Sequence, residues 1–470
     1  MVTKGYQFDL ITIGAGSGGV AASRRAGSYG AKVALCEADR VGGTCVLRGC
    51  VPKKLLVYAA HVAEELSDAA GFGWTIGESR HDWATLIARK DRELDRLNQI
   101  YLRMLRDAGV TVTYGRARLR DAHTVVVQGE DGPTELTAAH ILIATGSAPV
   151  RPKIPGAEFT VTSNEVLSLP ALPRRAVVIG VGYIGVELSC MMHGLGVEVT
   201  LIGRDRALLR GFDDEVRGHL TETLKSKGVR LALGCEPTAI TKEADGSYRV
   251  HTASGEFVAD LVLAATGRAP STYGIGVEDV GVRLAQNGAI AVDQLSRTSV
   301  PSIYAVGDCT DRKNLTPVAI AEGRAVAEQL FNRQSLLVDY NQIPTAVFSQ
   351  PPVSTVGLTE SEARELYAAI DVYATKFRPM KYTLAGREER TFIKVIVDRQ
   401  SQRVLGCHMV GPDAPEIIQG MAVALRCGVT KPQLDATIGI HPTAAEEFVT
   451  LRERRPDPVA PAAPAAAPRT

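Results

Sequence analysis

The chain has 470 residues, and its 53 lysines and arginines nearly balance its 52 aspartates and glutamates. This length predicts two to four domains, and the balanced charge argues against nucleic acids and anionic membrane surfaces as partners. Eight cysteines without ligand-like clustering exclude a disulfide scaffold and give no reason to expect a metal site.

The amino-terminal residues predict a dinucleotide-binding unit. Phe8–Ile13 read as a buried strand that runs into the sequence GAGSGG, and a helix and a second strand ending near Glu37 follow. In this β-loop-α-β order, Gly14 permits a tight turn, Gly16 lets a pyrophosphate approach the backbone, and Glu37 can accept hydrogen bonds from ribose hydroxyls. No charged leader precedes the strand and no run reaches the ~18 apolar residues of a membrane span, so we expect a cytoplasmic protein.

Two cysteines follow this unit in the segment GGTCVLRGCVPKK. Cys45 and Cys50 are five positions apart, which is a rise of roughly 7.5 Å along a regular helix. That distance exceeds the ~4.4 to 6.8 Å between the Cα atoms of a disulfide. A disulfide here therefore needs a distorted helix, for which Gly49 is the best candidate, and a strained disulfide is easily reduced. The alternative is a pair of idle thiols near a helix start.

The next stretch connects this unit to a second one. Trp83–Asp107 has helical periodicity, and VTVTYGRARL and HTVVVQG read as strands. Two proline-containing stretches, Ser147–Gly156 and Thr266–Thr272, resemble matched exits from two domains.

A second nucleotide unit begins at Ala176 with the same order of strand, glycine loop and helix. Its second strand ends in Gly203 and Arg204, where an NAD-binding protein would carry an acid. An arginine here can pair with the 2′-phosphate of NADP, although Asp205 nearby and a glycine at the third loop position leave NAD possible. The loop glycines are Gly180, Gly182 and Gly185, and the further arginines are Arg206 and Arg210.

The last third of the chain adds two candidate sites. Ser302–Thr310 reads as a strand that delivers Asp308 at its carboxyl end, where an acid can bind the polyol chain of a flavin. His441 lies in a loop before a helix that carries Glu446, which is the usual arrangement for a general acid or base. From about Tyr340 the sequence is rich in strands, with a helix at Pro415–Cys427, and indicates a third compact unit.

Together these motifs resemble the flavoprotein disulfide reductase family, over about Phe8 to Arg452. The resemblance implies an α/β fold with two Rossmann-like dinucleotide-binding domains, one for FAD and one for NADPH, and a C-terminal α+β dimerisation domain. The implied boundaries are 1–150 for the first part of the FAD domain, 151–270 for the NADPH domain, 271–340 for the second part of the FAD domain, 341–452 for the dimerisation domain and 453–470 for a disordered Ala/Pro-rich tail.

The resemblance also assigns roles within a homodimer. Cys45 is expected to attack a disulfide substrate and Cys50 to contact FAD, while His441 and Glu446 form an acid/base pair donated by the second subunit. Lys53 matches the lysine near the flavin, with Glu187 as its ion-pair partner. The matching FAD contacts are Ser17, Gly18, Glu37, Thr44, Cys45, Lys53, Ala117, Asp308 and Thr316, with Gly14, Gly16 and Gly19 in the loop. The matching NADPH contacts are Val181, Tyr183, Ile184, Glu187, Arg204, Arg210 and Gly267.

Within the family, the resemblance is to members that reduce oxidised glutathione and so maintain thiol redox balance. Arg24, Tyr101 and Arg324, together with Ser17, match the residues that contact this substrate, and arginines suit its carboxylates. The alternatives are a reductase of another small disulfide, of the lipoamide or trypanothione type, and a flavin-binding redox sensor without turnover. Trypanothione reduction predicts an aromatic residue in place of Arg24, and lipoamide reduction predicts an acid in place of Gly203.

Overall fold

The computed structural model describes residues 5–457, which form two compact units. The remainder of the predicted Ala/Pro-rich tail, residues 458–470, lies outside the described residues. The first unit comprises the residues up to Glu65, Gly77–Arg206 and Val229–Tyr340. The second comprises Leu66–Ile76, Ala207–Gly228 and the residues from Asn341 onward.

Helices and strands alternate along the chain. The strands are β1 (Phe8–Ile13), β2 (Val33–Glu37), β3 (Thr111–Tyr114), β4 (Arg116–Leu119), β5 (Thr124–Gly129), β6 (Gly132–Ile143), β7 (Ser147–Pro149), β8 (Arg175–Ile179), β9 (Glu198–Gly203), β10 (Arg230–Leu233), β11 (Pro237–Lys242), β12 (Tyr248–Thr252), β13 (Gly255–Ala259), β14 (Leu261–Ala264), β15 (Arg268–Pro270), β16 (Ile303–Ala305), β17 (Thr345–Val347), β18 (Val353–Gly357), β19 (Ile370–Phe377), β20 (Thr391–Asp398) and β21 (Val404–Val410). The helices are α1 (Ser17–Ser28), α2 (Gly43–Leu47), α3 (Cys50–Asp68), α4 (Trp83–Asp107), α5 (Ser163–Val166), α6 (Tyr183–Gly194), α7 (Asp214–Ser226), α8 (Thr316–Phe331), α9 (Glu360–Leu366), α10 (Met380–Ala385), α11 (Ala414–Arg426), α12 (Lys431–Ala436) and α13 (Glu447–Thr450). Short 3-10 helices cover Ala69–Phe72, Ala157–Phe159 and Gly307–Thr310.

The first unit contains a parallel sheet with strand order β3-β2-β1-β6-β16. The long strand β6 also pairs through its first half with β5, which pairs with β4, and these pairs are antiparallel. β1 is buried along nearly its whole length, as is usual for a central parallel strand. The predicted strand at Phe8–Ile13 and the predicted helix at Trp83–Asp107 are both confirmed.

A second parallel sheet in the same unit has the order β10-β9-β8-β14. An antiparallel sheet of β11, β12 and β13 accompanies it. The two proline-containing stretches that the sequence marked as domain exits pair with each other, because β7 and β15 form an antiparallel ladder. The segments that follow β6 and β14 are therefore joined to each other in a small sheet of their own.

The second unit is built on an antiparallel sheet with the order β17-β18-β21-β20-β19. Helix α11 packs on one face and fills a core with residues such as Ile418 and Leu425. Ordered contacts continue into the predicted tail, since the N–H of Arg455 donates to Val372 and the guanidinium of Arg399 pairs with Asp457. Packing in this unit therefore extends to the last described residue.

Candidate active site

The two cysteines lie on either side of a break between two helices. α2 ends at Leu47, Arg48 has φ −141° and ψ 19°, and α3 begins at Cys50. The predicted irregularity of the helix is confirmed, but the backbone departs from helical geometry at Arg48. Gly49 is needed for another reason, because a Cβ there would lie 2.9 Å from the carbonyl oxygen of Thr44.

The environment of the thiols gives them different acidities. Both are free, with Cys45 half-buried and Cys50 exposed. A side-chain hydrogen bond from Cys45 lowers the pKa of Cys50 to about 6, and the Thr316 hydroxyl and the Lys53 ammonium act in the same direction. The same hydrogen bond, together with burial, raises the pKa of Cys45. The reduced pair therefore holds one thiolate, on Cys50, stabilised by a thiol donor on Cys45.

A buried ion pair connects this segment to the second nucleotide unit. The Nζ atom of Lys53 on α3 lies 2.6 Å from Oε1 of Glu187 on α6, and both side chains are almost completely buried. Tyr183, one turn earlier on α6, is 43% exposed. Burial raises the pKa of its phenol to about 12, and the charges of Asp308, Glu187 and Cys50 act in the same direction.

The first glycine loop is built around close backbone contacts. A Cβ at Gly14, where φ is 101°, would lie 2.5 Å from a carbonyl oxygen, and one at Gly19 would lie 1.9 Å from the carbonyl oxygen of Gly14. Gly16 is the N-cap of α1, which has no side-chain cap and no acidic residue in its first turn. The N–H groups at this helix end can therefore bind a phosphate.

The residues around this loop fit the adenosine half of FAD. Oε2 of Glu37 accepts a hydrogen bond of 2.7 Å from the N–H of Ala15, which holds the carboxylate beside the loop. Gly43 packs so closely on the loop that a Cβ would lie 2.6 Å from a loop Cα atom, and this contact positions Thr44. Ala117 on β4 is buried in the core cluster under the same sheet.

The remaining candidate FAD contacts, Ser17, Gly18 and Thr316, lie on helices α1 and α8, which pack closely on each other. A Cβ at Gly18 would lie 3.1 Å from the backbone of α8, and one at Gly323 would lie 2.3 Å from the carbonyl oxygen of Gly18. Ser17 is the first residue of α1, and Thr316 is the first residue of α8. The Thr316 hydroxyl lies 3.8 Å from the sulfur of Cys50, so the helix start reaches the dithiol.

Asp308 is held by two residues that the sequence reasoning did not single out. The Ser147 hydroxyl donates to Oδ2 of Asp308 at 2.5 Å, and Nε of Arg268 donates to the same hydroxyl at 2.8 Å. Both partners lie in the paired proline-containing stretches, β7 and β15. A sequence signal for these two residues was available, because the two stretches that contain them have similar proline-containing sequences.

The second glycine loop repeats the geometry of the first. A Cβ at Gly185 would lie 1.9 Å from the carbonyl oxygen of Gly180, as at the equivalent pair in the first loop. Gly182 is the N-cap of α6, has no side-chain cap, and has open space where a side chain would be. Gly267 also faces open space, at φ 124°. These features fit the pyrophosphate of a second dinucleotide.

The absence of an acid at the end of β9 has a packing cause. A Cβ at Gly203 would lie 2.4 Å from Cγ1 of Val181, which is buried inside the second loop. Arg204 follows directly and is exposed, and half-buried Ile184 lies on α6. An acid at this position would therefore force the Val181 side chain to shift, whereas the next position carries a cation, which suits the 2′-phosphate of NADPH. Arg210 is exposed in the second unit, within the segment before α7.

The residues predicted to contact substrate lie on three helices of the first unit. Arg24 on α1 and Arg324 on α8 are exposed, and the ion pairs found between residues 5 and 457 include neither of them. Tyr101 on α4 is half-buried, and its pKa is raised by burial and by the charge of Cys45. Both guanidinium groups are therefore accessible to the carboxylates of a ligand.

His441 and Glu446 are brought together in the second unit. Nδ1 of His441 lies 3.1 Å from one carboxylate oxygen of Glu446 and 3.2 Å from the other. The N–H of Thr443 donates to the same carboxylate, and a Cβ at Gly439 would lie 2.8 Å from Cβ of Glu446. The carboxylate favours the tautomer with a proton on Nδ1, which leaves Nε2 to exchange protons. The histidine side chain is 81% exposed.

Between residues 5 and 457, no group of three or more histidine, cysteine, aspartate or glutamate side chains is arranged to hold a metal ion. None of the helices in this part of the chain has the length and apolar character needed to cross a membrane.

Comparison with known proteins gives matches over nearly the whole chain. The model of the pyridine nucleotide-disulphide oxidoreductase family matches residues 8–323, and the model of the dimerisation domain of that family matches residues 343–452. The glutathione reductase of Burkholderia cepacia is 49% identical over 96% of this chain and 99% of its own length. The chloroplastic/mitochondrial glutathione reductase of Pisum sativum is 50% identical over 95% of this chain and 82% of its own. The trypanothione reductase of Leishmania donovani is 40% identical over 95% of each chain.

Proposed function

Because the chain belongs to the pyridine nucleotide-disulphide oxidoreductase family, we propose that it is an NADPH-dependent flavoprotein that reduces oxidised glutathione to two molecules of glutathione. The observation that carries the proposal is the Cys45–Cys50 dithiol, in which the pKa of Cys50 is lowered to about 6 and whose helix α3 is joined to α6 by the buried Lys53–Glu187 pair. Bound FAD, which Ser17, Glu37 and Asp308 would hold, would supply the two-electron relay between NADPH and the Cys45–Cys50 disulfide.

The dithiol then reduces the substrate in two exchange steps. The Cys45 thiol first gives its proton to Nε2 of His441, and the resulting thiolate attacks one sulfur of oxidised glutathione. This step forms a mixed disulfide and releases the first glutathione as a thiolate, which takes the proton back from His441. Cys50 then attacks the sulfur of Cys45, which releases the second glutathione and restores the Cys45–Cys50 disulfide. The thiolate on Cys50 is the form needed for the second step, since only a thiolate attacks a disulfide.

His441 is proposed to supply the proton that the departing glutathione thiolate takes up. Its Nε2 atom is available because Glu446 accepts the hydrogen bond from Nδ1. The pair acts across a homodimer interface in this proposal. The second unit supports such an interface by exposing apolar side chains beside the histidine, with Ile438 94% and Ile440 76% exposed. Size-exclusion chromatography with light scattering should give twice the mass of the chain.

The choice of nucleotide is proposed to rest on the end of β9. Gly203 leaves no carboxylate to repel a 2′-phosphate, and the exposed guanidinium of Arg204 can pair with one. Arg206 and Arg210 are proposed as further phosphate contacts. Comparison of kcat/KM for NADPH and NADH tests this part of the proposal.

The choice of disulfide is proposed to rest on Arg24 and Arg324, with Tyr101 and Ser17 beside them. Two unpaired cations suit the carboxylates of oxidised glutathione and disfavour a cationic disulfide such as trypanothione. Arg24→Ala should raise the KM for oxidised glutathione about tenfold. Arg103→Ala, an exposed arginine on α4, is the matched control and should leave it unchanged.

The decisive experiment is a panel of disulfides with purified protein and NADPH. Oxidised glutathione should support the fastest NADPH oxidation, and Cys45→Ser should reduce that rate to background. Faster oxidation with lipoamide or trypanothione disulfide would instead favour the first alternative. Flavin that NADPH never reduces would favour a redox sensor without turnover.

A cytoplasmic location is also proposed. The six cysteines outside the Cys45–Cys50 pair are free thiols in the structure, which suits a compartment that keeps thiols reduced. Cell fractionation with immunodetection tests the location directly.

A further inference from the structure

A buried carboxylate on α8 contacts the backbone beside Asp308. Glu322 is 1% exposed, and its Oε2 atom accepts a hydrogen bond of 2.6 Å from the N–H of Gly307. Gly307 has φ 74° and starts the 3-10 turn Gly307–Thr310 that follows β16. A buried carboxylate is costly unless it is paired and hydrogen-bonded, so this contact is a specific arrangement that the fold maintains.

The second carboxylate oxygen of Glu322 contacts two more side chains. Oε1 of Glu322 lies 3.0 Å from the guanidinium of Arg312 and accepts a hydrogen bond of 2.6 Å from the Tyr340 hydroxyl. The guanidinium of Arg312 lies over the Tyr340 ring at 5.3 Å and also contacts the Ser296 and Thr310 hydroxyls. Burial and the bond to Glu322 raise the pKa of Tyr340, so its phenol remains a donor. Both oxygens of the carboxylate are therefore occupied.

These contacts act on the residue that follows Gly307 in the chain. Asp308 is fixed at its side chain by the Ser147 hydroxyl, while its backbone is fixed through the neighbouring peptide by Glu322. We propose that Glu322 is a positioning residue for the flavin site, which sets the direction in which Asp308 presents its carboxylate to the polyol chain of FAD. This inference rests on the proposed function, because it assumes that Asp308 binds FAD.

The chain offers a matched control on the same helix. Glu328 is 3% exposed, and its carboxylate accepts hydrogen bonds from Arg25, Tyr29 and Asn332 at 2.6 to 2.7 Å. It resembles Glu322 in burial and in its number of donors, but its partners lie on α1 and at the end of α8. Replacing it removes a comparable network without touching Gly307.

The test compares Glu322→Ala with Glu328→Ala as full-length, FAD-loaded proteins. The readouts are the dissociation constant for FAD, the visible absorption spectrum of bound flavin and the melting temperature. We expect Glu322→Ala to weaken FAD binding about tenfold or more, as for loss of a hydrogen bond to a charged acceptor, and to alter the spectrum. Glu328→Ala should lower the melting temperature similarly but leave both flavin readouts at wild-type values.

Two further variants keep the inference testable if Glu322→Ala does not fold. Glu322→Gln retains an amide oxygen for the Gly307 N–H, so it should restore FAD affinity to within about threefold of wild type. Glu322→Asp keeps the charge but withdraws it from Gly307, and should weaken FAD binding. Wild-type affinity in Glu322→Ala, or in Glu322→Asp where the Ala variant does not fold, would overturn the inference, as would an equal loss in Glu328→Ala. A wild-type protein that binds no FAD would instead contradict the proposed function.

Discussion

The hydrogen bond from the Cys45 thiol is the largest cause of the low pKa of Cys50, and replacing this donor tests the assignment. Cys45→Ala removes the donor, whereas Cys45→Ser retains a hydroxyl that can donate to the same sulfur. A hydrogen bond to a charged acceptor contributes about 1.5 to 3 kcal/mol, which is roughly one to two pKa units. Because Cys50 is exposed, solvent screening favours the lower end of this range, so the pKa should rise from about 6 to roughly 7 in Cys45→Ala.

The sign of the pH dependence follows from the lowered pKa. The Cys50 thiolate is present above about pH 6 and is lost as the pH falls through this value. At pH 6, a pKa near 7 reduces the thiolate fraction from about one half to about one tenth. Alkylation of Cys50 by iodoacetamide should therefore be about fivefold slower in Cys45→Ala than in Cys45→Ser.

The assay follows the alkylation rate from pH 5 to pH 9 by mass spectrometry. A Cys427→Ser background removes the other exposed thiol. Equal titration midpoints in the Ala and Ser variants would refute the assigned cause. A titration midpoint near 9 in Cys45→Ser would show that neither the hydroxyl donor nor Thr316 and Lys53 stabilise the Cys50 thiolate.

Three other expectations concern the ion pair, the nucleotide and the proton donor. Lys53→Met removes the ion-pair partner of a buried carboxylate, so it should cost about 3 to 5 kcal/mol of unfolding free energy in urea titrations, whereas Lys54→Met should cost under about 1. Gly203→Glu should lower kcat/KM for NADPH about tenfold or more, because its carboxylate repels the 2′-phosphate. This variant should gain no activity with NADH, because the new side chain collides with Val181. The double variant Gly203→Glu, Val181→Ala should gain NADH activity, and a double variant without that gain would contradict the packing argument. His441→Gln should lower kcat with oxidised glutathione about a hundredfold or more in steady-state assays, while flavin reduction by NADPH stays at the wild-type rate.

The sequence predicted the parts of the site that depend on residues close together in the chain. A glycine loop between a strand and a helix has a fixed spacing, so both loops could be located and their ligand class inferred. The break between Cys45 and Cys50 could be predicted from helix geometry alone. The pairing of His441 with Glu446 is also local, since five residues separate them.

Packing decided the features that join distant segments. The sequence by itself named Lys53 and Glu187 through a family resemblance, but their contact spans 134 positions and depends on how α3 meets α6.

Packing also decided the contact that holds the Asp308 side chain and the contact of the Glu322 carboxylate with Gly307. Ser147 is 161 positions from Asp308, and Glu322 reaches Gly307 across 15 positions, from helix to strand end. Such contacts depend on which strands are neighbours in a sheet and on how deeply a polar side chain is buried, because a buried polar group forms hydrogen bonds with the groups that packing brings next to it. Local spacing therefore determined the chemistry that this chain offers, whereas tertiary structure decided which groups hold that chemistry in place, because buried polar groups take partners by proximity in space and not in sequence.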